Sequence, residues 1–181
     1  MPTRMRRKDT RMPFPSRLQT ARLTLDRPRL DDLAALQAVI GDPRIAEDQF
    51  PARFRTPELT ETLLRRAQAH WDERGFGPWL VWREDALIGR AGLMTSELDG
   101  RECVEAKWFL GVDHWGRGYA TEAARAAVDA GFSALGLTEI LAWTMTTNLP
   151  SQAVMGRLGF ETIGPIEKAG LPHVAYRATR P

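Results

Sequence analysis

Residues 114–123, HWGRGYATEA, form a glycine-spaced turn between an apolar stretch and an alanine-rich stretch. Gly116 and Gly118 can take backbone conformations closed to other residues, and they let a ligand approach the main chain. The N–H groups of residues 116–120 would be the unpaired donors of a helix start, where the positive end of the helix dipole lies. The stretch therefore predicts a strand, an anion-binding turn and a helix in succession.

Two well-known phosphate-binding motifs do not fit this turn. The dinucleotide fingerprint G-x-G-x-x-G is broken because Thr121 stands at the place of the third glycine. The turn also lacks the lysine followed by Ser or Thr that marks the loop of nucleoside triphosphatases. Paired glycines are common by themselves, so the neighbouring segments decide the interpretation.

Residues 115–123 resemble the acyl-CoA pyrophosphate loop of the GNAT N-acetyltransferases, most closely in the branch that contains the ribosomal-protein N-terminal acetylases. Three further segments agree with that branch. Residues 19–25 look like its opening strand, and residues 79–82 with 87–93 look like its central hairpin. Residues 148–160 look like its late N-x-x-S…G-F signature. The matches fall in chain order from about residue 18 to the end of the sequence.

The pattern of apolar residues predicts an α/β (α+β) arrangement of alternating helices and strands. Strands are predicted at residues 22–25, 79–82, 87–95, 102–110, 140–145 and 174–178, and helices at 33–40, 57–74, 120–135 and 151–158. Hairpin turns at residues 84–85 and 99–100 make the middle strands an antiparallel meander. The resemblance identifies this order as the GNAT acyl-CoA N-acyltransferase fold. It implies a mixed, mostly antiparallel central sheet flanked by helices, with a splayed strand pair that holds the CoA arm.

The length of 181 residues fits one domain, which we place at residues 18–181. Residues 1–17 are predicted to be a flexible tail made basic by Arg4, Arg6, Arg7, Lys8 and Arg11. The apolar stretch of a secretory signal does not follow these charges, so neither a membrane span nor export is predicted. A cytoplasmic location is the expectation.

The charged residues are nearly balanced, with 25 basic and 23 acidic side chains and a net charge of +2. This balance argues against a dedicated nucleic-acid surface, despite an isoelectric point near 9.0. One cysteine and three scattered histidines provide neither a disulfide framework nor a metal-ligand spacing. We therefore expect no metal. An exposed strand edge in this fold would allow a homodimer.

The resemblance implies acetyl-CoA as the acetyl donor and assigns the residues that bind it. The pantetheine arm would enter the gap between the splayed strands and pair with backbone groups there, much as a peptide adds to a sheet edge. The thioester carbonyl would face the Leu110 amide, and Asn148 would contact the pantetheine region. The implied binding residues are Phe109, Leu110, Val112, Trp115, Gly116, Arg117, Gly118, Tyr119, Ala120, Thr121, Asn148 and Ser151.

Acetyl transfer to an amine needs a neutral nucleophile and a proton donor for the departing thiolate. Glu105, on the strand before the turn, is the acid best placed by position to take the ammonium proton, directly or through water. Its alternative is a solvent-facing strand residue, and Glu97, Asp99 and Glu102 are poorer candidates. By resemblance, Ser151 protonates the thiolate, and its alternative is the cap of the helix that follows.

Three further residue types need an interpretation. Among the six tryptophans, Trp79 and Trp108 are predicted to line the acceptor pocket. Cys103 has no visible histidine partner and is interpreted as a buried strand thiol. Lys107 departs from the family pattern, because a glycine commonly stands at this place and allows the strand to bulge.

The sequence thus predicts an acyltransferase that moves an acetyl group from acetyl-CoA to a primary amine in a ternary complex, without a covalent enzyme intermediate. A protein N-terminus and a small-molecule amine both remain open as acceptors. The alternative from another class is a non-catalytic acyl-CoA-binding module that regulates a partner.

Overall fold

The computed structural model describes residues 13–47 and 50–180. Eight strands form one sheet in the order β1-β2-β3-β4-β5-β6-β8-β7. The strands are β1 Arg17–Gln19, β2 Thr24–Asp26, β3 Pro78–Arg83, β4 Ala86–Leu98, β5 Arg101–Leu110, β6 Glu139–Met145, β7 Glu161–Lys168 and β8 Leu171–Thr179. The helices are α1 Leu33–Ile40, α2 Pro57–Arg74, α3 Tyr119–Ala130 and α4 Leu149–Arg157.

β3, β4 and β5 form the predicted antiparallel meander, and β2 and β1 extend the antiparallel pairing beyond β3. Both predicted hairpin turns are present, with positive φ angles of 54° at Glu84 and 51° at Asp99. β5 pairs with β4 along its whole length, from Arg101 opposite Leu98 to Leu110 opposite Gly89. This continuous ladder makes β4 and β5 the rigid centre of the sheet.

β5 and β6 are the splayed pair that the fold requires. They pair in parallel at Glu105 and Leu141, and the pairing does not continue into Ala106–Leu110. The last half of β5 is therefore bonded on its β4 side and open on its β6 side. Backbone groups at this opening lack a β6 partner and can meet a ligand, except the Leu110 carbonyl, which accepts from the Trp115 Nε1 at 2.7 Å.

Alternation along β5 sends side chains to two cores on opposite faces of the sheet. Ala106 and Leu110 join the larger core, which α3 covers with its small residues. Phe109 joins the second core, together with Leu36 and Ile40 of α1. The half of β5 that β6 does not pair therefore contributes side chains to both faces of the sheet.

Contacts with the core begin before residue 18, the predicted start of the domain. Phe14 is buried in the larger core and stacks on Trp79 with ring centroids 4.7 Å apart. The Trp79 Nε1 donates to the Pro15 carbonyl at 3.0 Å. These contacts tie the chain before β1 to the core, while residues 1–12 of the predicted tail lie outside the described residues.

Several predicted elements differ in extent. The first predicted strand is one strand of a short hairpin, β1 with β2. The strand β7 was not predicted, because its sequence ETIGPIEK carries the glycine and proline that argue against a central strand. It is the edge strand beside β8, where that composition is tolerated. The helix predicted to residue 135 leaves α-helical geometry after Ala130 and closes with a π-helical turn, Gly131–Leu135.

Candidate active site

A cavity of about 830 Å³ lies between the end of β5, the start of α3 and α4. We call it the first cavity. Its wall includes Leu110 from β5, Gly116 and Gly118 from the turn, and Arg125 and Arg157 from the two helices. Its wall therefore combines backbone groups and a helix start with two cationic side chains.

The turn that opens the first cavity has the geometry that its sequence predicts. Gly116 and Gly118 lie at φ of 70° and 78°, in the left-handed region that favours glycine. Gly118 is the residue before α3, and no side chain among the described residues caps that helix. The N–H groups of the first turn are therefore left for a ligand, at the positive end of the helix dipole.

Arg22 fastens this turn to the β1–β2 hairpin. Its Nε donates to Glu122 Oε2 at 2.7 Å, and its Nη1 donates to the Arg117 carbonyl at 3.0 Å. The guanidinium also lies 4.5 Å from the centre of the Tyr119 ring. The Arg22 side chain thus contacts the glycine turn at Arg117, the ring of Tyr119 at the start of α3, and the Glu122 carboxylate one turn further along the helix.

Glu122 completes this fastening from the helix side. Its Oε1 accepts from the Thr20 hydroxyl at 2.6 Å and from the Arg22 N–H at 2.9 Å. Burial raises the pKa of Glu122, but the hydrogen bonds from Thr20 and Arg22 outweigh it, so the pKa lies below its ordinary value. The carboxylate is therefore charged at neutral pH. Sequence reasoning missed this pair, because its two residues are 100 positions apart.

Ten of the twelve predicted acetyl-CoA residues line the first cavity. Val112 and Arg117 do not. Val112 packs against the second core, and Arg117 is exposed and contributes its backbone carbonyl to the Arg22 contact. The family motif includes both residues, but it does not determine which way their side chains point. The ten that line it are Phe109, Leu110, Trp115, Gly116, Gly118, Tyr119, Ala120, Thr121, Asn148 and Ser151.

His114 also lines the first cavity, although no role was predicted for it. Burial lowers its pKa, and the nearby Arg117 lowers it further. Its buried Nδ1 makes no hydrogen bond with any described residue. A neutral imidazole is the result, so His114 adds no charge to the cavity at neutral pH.

A second cavity of about 340 Å³ opens on the other side of the splayed strands. Its wall combines β5 and β6 with the β7–β8 turn and with the segment before α2. The two cavities share four wall residues, Trp108, Phe109, Asn148 and Ser151. A group bound in one cavity can therefore meet a group bound in the other at this junction.

Ser151 stands at the junction with its hydroxyl unused. The predicted serine cap is wrong, because α4 begins at Leu149 and Asn148 is its cap. The Asn148 Oδ1 accepts from the Ser151 N–H at 3.2 Å. No hydrogen bond involves the Ser151 hydroxyl within the part of the chain that the structure describes. Ser151 therefore does not cap α4, and its hydroxyl is available as a proton donor.

Glu105 lines the second cavity at the point where β5 and β6 separate. It is 3% exposed, so its alternative as a solvent-facing strand residue is wrong. The Ser96 hydroxyl donates to its Oε2 at 2.6 Å, and the Lys107 Nζ lies 2.8 Å from the same oxygen. Both contacts use Oε2, which leaves Oε1 to receive a proton from a bound amine.

Trp79 is not a pocket residue. It is fully buried in the larger core and lines neither cavity, whereas Trp108 lines both. The two tryptophans share one face of the sheet because each is paired with Ala91 in neighbouring ladders. Trp108 lines both cavities because it lies in the half of β5 that β6 does not pair.

Two further predictions concern β5. The β4–β5 register runs through Lys107 without a shift, so Lys107 replaces the family glycine in a regular ladder. The Cys103 thiol lies 3.5 Å from the Ser96 carbonyl, and burial raises its pKa. Cys103 lies on β5 and lines neither cavity, but it is half-buried rather than buried as predicted.

Two features are absent from the described residues. Across 13–47 and 50–180, no helix is both long enough and apolar enough to cross a membrane. No group of three or more His, Cys, Asp or Glu in those same ranges is arranged to hold a metal ion.

Comparison with known proteins gives a consistent result. Residues 22–161 match the family described as Acetyltransferase (GNAT) domain. A relative named uncharacterized N-acetyltransferase YnaD, from Bacillus subtilis (strain 168), is 32% identical over 151 residues, which cover 83% of this chain and 86% of the relative. An acetyltransferase structure from Agrobacterium tumefaciens str. C58 superposes with a TM-score of 0.78 at 26% identity, covering 96% of this chain and 99% of that one.

A solved ribosomal L7/L12 α-N-protein acetyltransferase, RimL, in complex with coenzyme A shares the fold. Its TM-score is 0.75 at 16% identity, with 92% of this chain and 97% of that chain covered.

Proposed function

The chain belongs to the GNAT acetyltransferase family, and we propose that it moves an acetyl group from acetyl-CoA in the first cavity directly to a primary amine in the second. One observation carries the proposal: the two cavities meet at four residues, and one of these, Ser151, has an unused hydroxyl. A single reacting centre at this junction would accept both substrates at once. This makes a covalent enzyme intermediate unnecessary.

The first cavity suits a long anionic thioester. The pyrophosphate would bind the N–H groups of the glycine turn and the start of α3. Arg125 and Arg157 line the same cavity and would attract further phosphate charge. The pantetheine arm would then follow the open side of β5 towards the junction, and the Leu110 amide is our proposed partner for the thioester carbonyl.

The second cavity supplies the acid–base chemistry for the amine. Glu105 would remove the proton from the bound ammonium or from the nitrogen after attack on the thioester carbonyl. The new C–N bond forms as the C–S bond breaks, and the Ser151 hydroxyl would give a proton to the departing thiolate. The Lys107 Nζ, 2.8 Å from Oε2, would hold the Glu105 carboxylate in position while Oε1 faces the amine.

The acceptor is a primary amine of either a protein N-terminus or a small molecule in this proposal. RimL is named as an acetyltransferase of a ribosomal protein's α-amino group, and its likeness to this chain concerns the fold. The branch resemblance favours a protein acceptor, and the second cavity, of about 340 Å³, also has room for a small amine.

Labelled acetyl-CoA tests the proposal. The purified protein is incubated with acetyl-CoA carrying an isotope in the acetyl group and with a cell extract, and mass spectrometry is applied to the protein and small-molecule fractions. We expect label on an amine in one fraction, and a strong loss of label with Ser151→Ala. Ser133→Ala is the matched control, because Ser133 is an exposed helical serine that lines neither cavity. Label in neither fraction, with CoA still bound, would support the non-catalytic module instead.

A further inference from the structure

The second cavity carries an excess of positive charge. Among the described residues, its wall holds four side chains that are always or usually cationic, Arg53, Arg90, Lys107 and Lys168, and one carboxylate, Glu105. The charge of Glu105 is compensated by Lys107 at 2.8 Å. Three cations therefore face the cavity without an acid among the described wall residues to balance them.

Arg90 is the most informative of these cations. It lies on β4 directly opposite Phe109, which bounds both cavities, so its side chain starts beside the junction. Within the described part of the chain, its guanidinium makes no hydrogen bond or ion pair. Burial lowers the pKa of Arg90 to about 10, against the field of Glu105. The half-buried group therefore stays charged at neutral pH, and no carboxylate among the described residues pairs with it.

The opposite wall adds a cation on an aromatic surface. The Lys168 Nζ lies 4.8 Å from the centre of the Trp143 ring, and the Lys107 Nζ lies 5.9 Å from the same ring. Lys168 also donates to the Glu97 carbonyl, which fixes its position without neutralising its charge. A ligand in this cavity is thus placed between a β4 guanidinium and a tryptophan flanked by two ammonium groups.

We infer that the acceptor is a primary amine that also carries an anionic group, a carboxylate or a phosphate, and that Arg90 binds this group. The inference rests on the proposed function, because it names the class of amine that the second cavity would take. An amine without an anion would leave Arg90 unpaired when it displaces water. A polyamine would add like charges to a cavity that already has an excess of them.

The geometry distributes the two ends of such a substrate. The amine is directed to Glu105 and the junction, where the acid–base residues lie. The anion is directed to Arg90, which lies opposite Phe109 at the junction, since Lys107 is already paired with Glu105 and Arg53 is exposed. Lys168 keeps its charge and adds to the attraction for an anion. Arg90 is accordingly a specificity-determining residue rather than a catalytic one.

Matched pairs of amines test the inference. Release of CoA is measured with β-alanine, γ-aminobutyrate, methionine and phenylalanine, each against its own carboxamide, and with 2-aminoethylphosphonate against ethanolamine. We expect kcat/KM for the anionic member to exceed that of its neutral partner at least tenfold in one or more pairs. Arg90→Gln should bring that ratio towards one, mainly through KM, and Arg90→Lys should restore part of it.

Arg66→Gln is the control, because Arg66 is an exposed arginine on α2 that lines neither cavity. Thermal unfolding and CoA affinity are recorded for each variant, so that a misfolded protein is recognised. A ratio that Arg90→Gln leaves unchanged overturns the inference.

Failure of the inference and failure of the proposed function look different. Equal or better turnover of the neutral members, or a labelled cell-extract product that carries no anionic group, overturns the anionic acceptor and leaves acetyl transfer intact. Absence of acetylated product with every amine and with the extract, while CoA still binds, overturns the proposed function and the inference with it.

Discussion

The two cavities that meet at Ser151 are built by different means. The first offers mainly backbone groups at its phosphate-binding end: a turn with two left-handed glycines, a helix start without a side-chain cap, and the edge of β5 that β6 does not pair. The second is formed by side chains that converge from strands and loops far apart in the chain. Backbone recognition suits a ligand common to many enzymes, whereas side-chain recognition can change without altering the fold. The difference supports our proposal that the shared donor binds in the first cavity and the individual acceptor in the second.

The largest expected effect separates chemistry from donor binding. Glu105→Gln should lower kcat by about 100-fold or more, because general-base catalysis contributes roughly that much. The dissociation constant for CoA should stay within about twofold of the wild-type value, since Glu105 lines the second cavity and not the first. Steady-state kinetics and calorimetric titration of CoA measure the two quantities.

Glu102→Gln is the control for this prediction. Glu102 lies on the same strand, is exposed and pairs with Arg74. A fall in kcat as large for Glu102 as for Glu105 would contradict the role of Glu105 and point to a general effect on β5.

The next effect concerns the first cavity alone. Gly118→Ala should weaken CoA binding by about tenfold, because a side chain at a positive φ costs about 1–2 kcal/mol and disturbs the turn. A Cβ there would also lie 3.4 Å from the Arg22 Nη2. Titration of CoA by calorimetry measures the change.

Gly100→Ala provides a matched comparison, since Gly100 has a similar φ of 73° in a hairpin turn and no atom would lie within 4 Å of the added Cβ. Both variants should lose stability, and Gly118→Ala alone should lose CoA affinity. Equal CoA affinities for the two would show that the turn geometry does not matter for binding.

A smaller effect concerns the contact between Arg22 and Glu122. Glu122→Gln should lower the free energy of unfolding by roughly 1–3 kcal/mol at pH 7, since hydrogen bonds to a charged group are lost. The folded-state pKa of Glu122 is lowered, so its contribution is fully present above the unfolded-state value of 4.5. The contribution disappears as the pH falls through the folded-state pKa.

Denaturant unfolding of both proteins between pH 7 and pH 3 checks this sign. The difference in the free energy of unfolding between wild type and variant should shrink towards the acid end. A difference that stays constant or grows in acid would contradict the assignment of the lowered pKa to Glu122.

The smallest effect is expected at Cys103. Cys103→Ala should leave kcat/KM within about twofold, and intact-protein mass spectrometry should find no acetylated enzyme during turnover. The raised pKa keeps the thiol protonated, and a thiol is a weaker nucleophile than a thiolate. An acetyl-enzyme that disappears with this substitution would replace direct transfer by a two-step reaction.

The contrast between the cavities also explains what could be predicted from the sequence. The glycine turn and the start of α3 were predictable, because a left-handed backbone and an open helix end restrict which residues can stand there. Arg90, Lys168 and Trp143 were not, since nothing in the chain indicates that three separate strands bring them to one cavity. The pair of Arg22 and Glu122 was hidden for the same reason.

Two local errors have physical causes as well. Trp79 was placed in a pocket because aromatic residues suit binding sites, but Phe14 stacks on it and completes the core. Ser151 was a plausible cap, yet Asn148 three residues earlier caps α4. The chain before β1 and the exact first residue of a helix depend on tertiary contacts that local patterns do not contain.

The most direct test of a single reacting centre is a crystal structure of the protein with CoA, which requires no knowledge of the acceptor. We expect the pyrophosphate on the N–H groups that follow Gly116 and Gly118, and the CoA sulfur at the junction, within about 4 Å of the Ser151 Oγ. A sulfur that lies away from the junction, with Ser151 and Glu105 out of reach of the thioester, would contradict a single reacting centre between the two cavities.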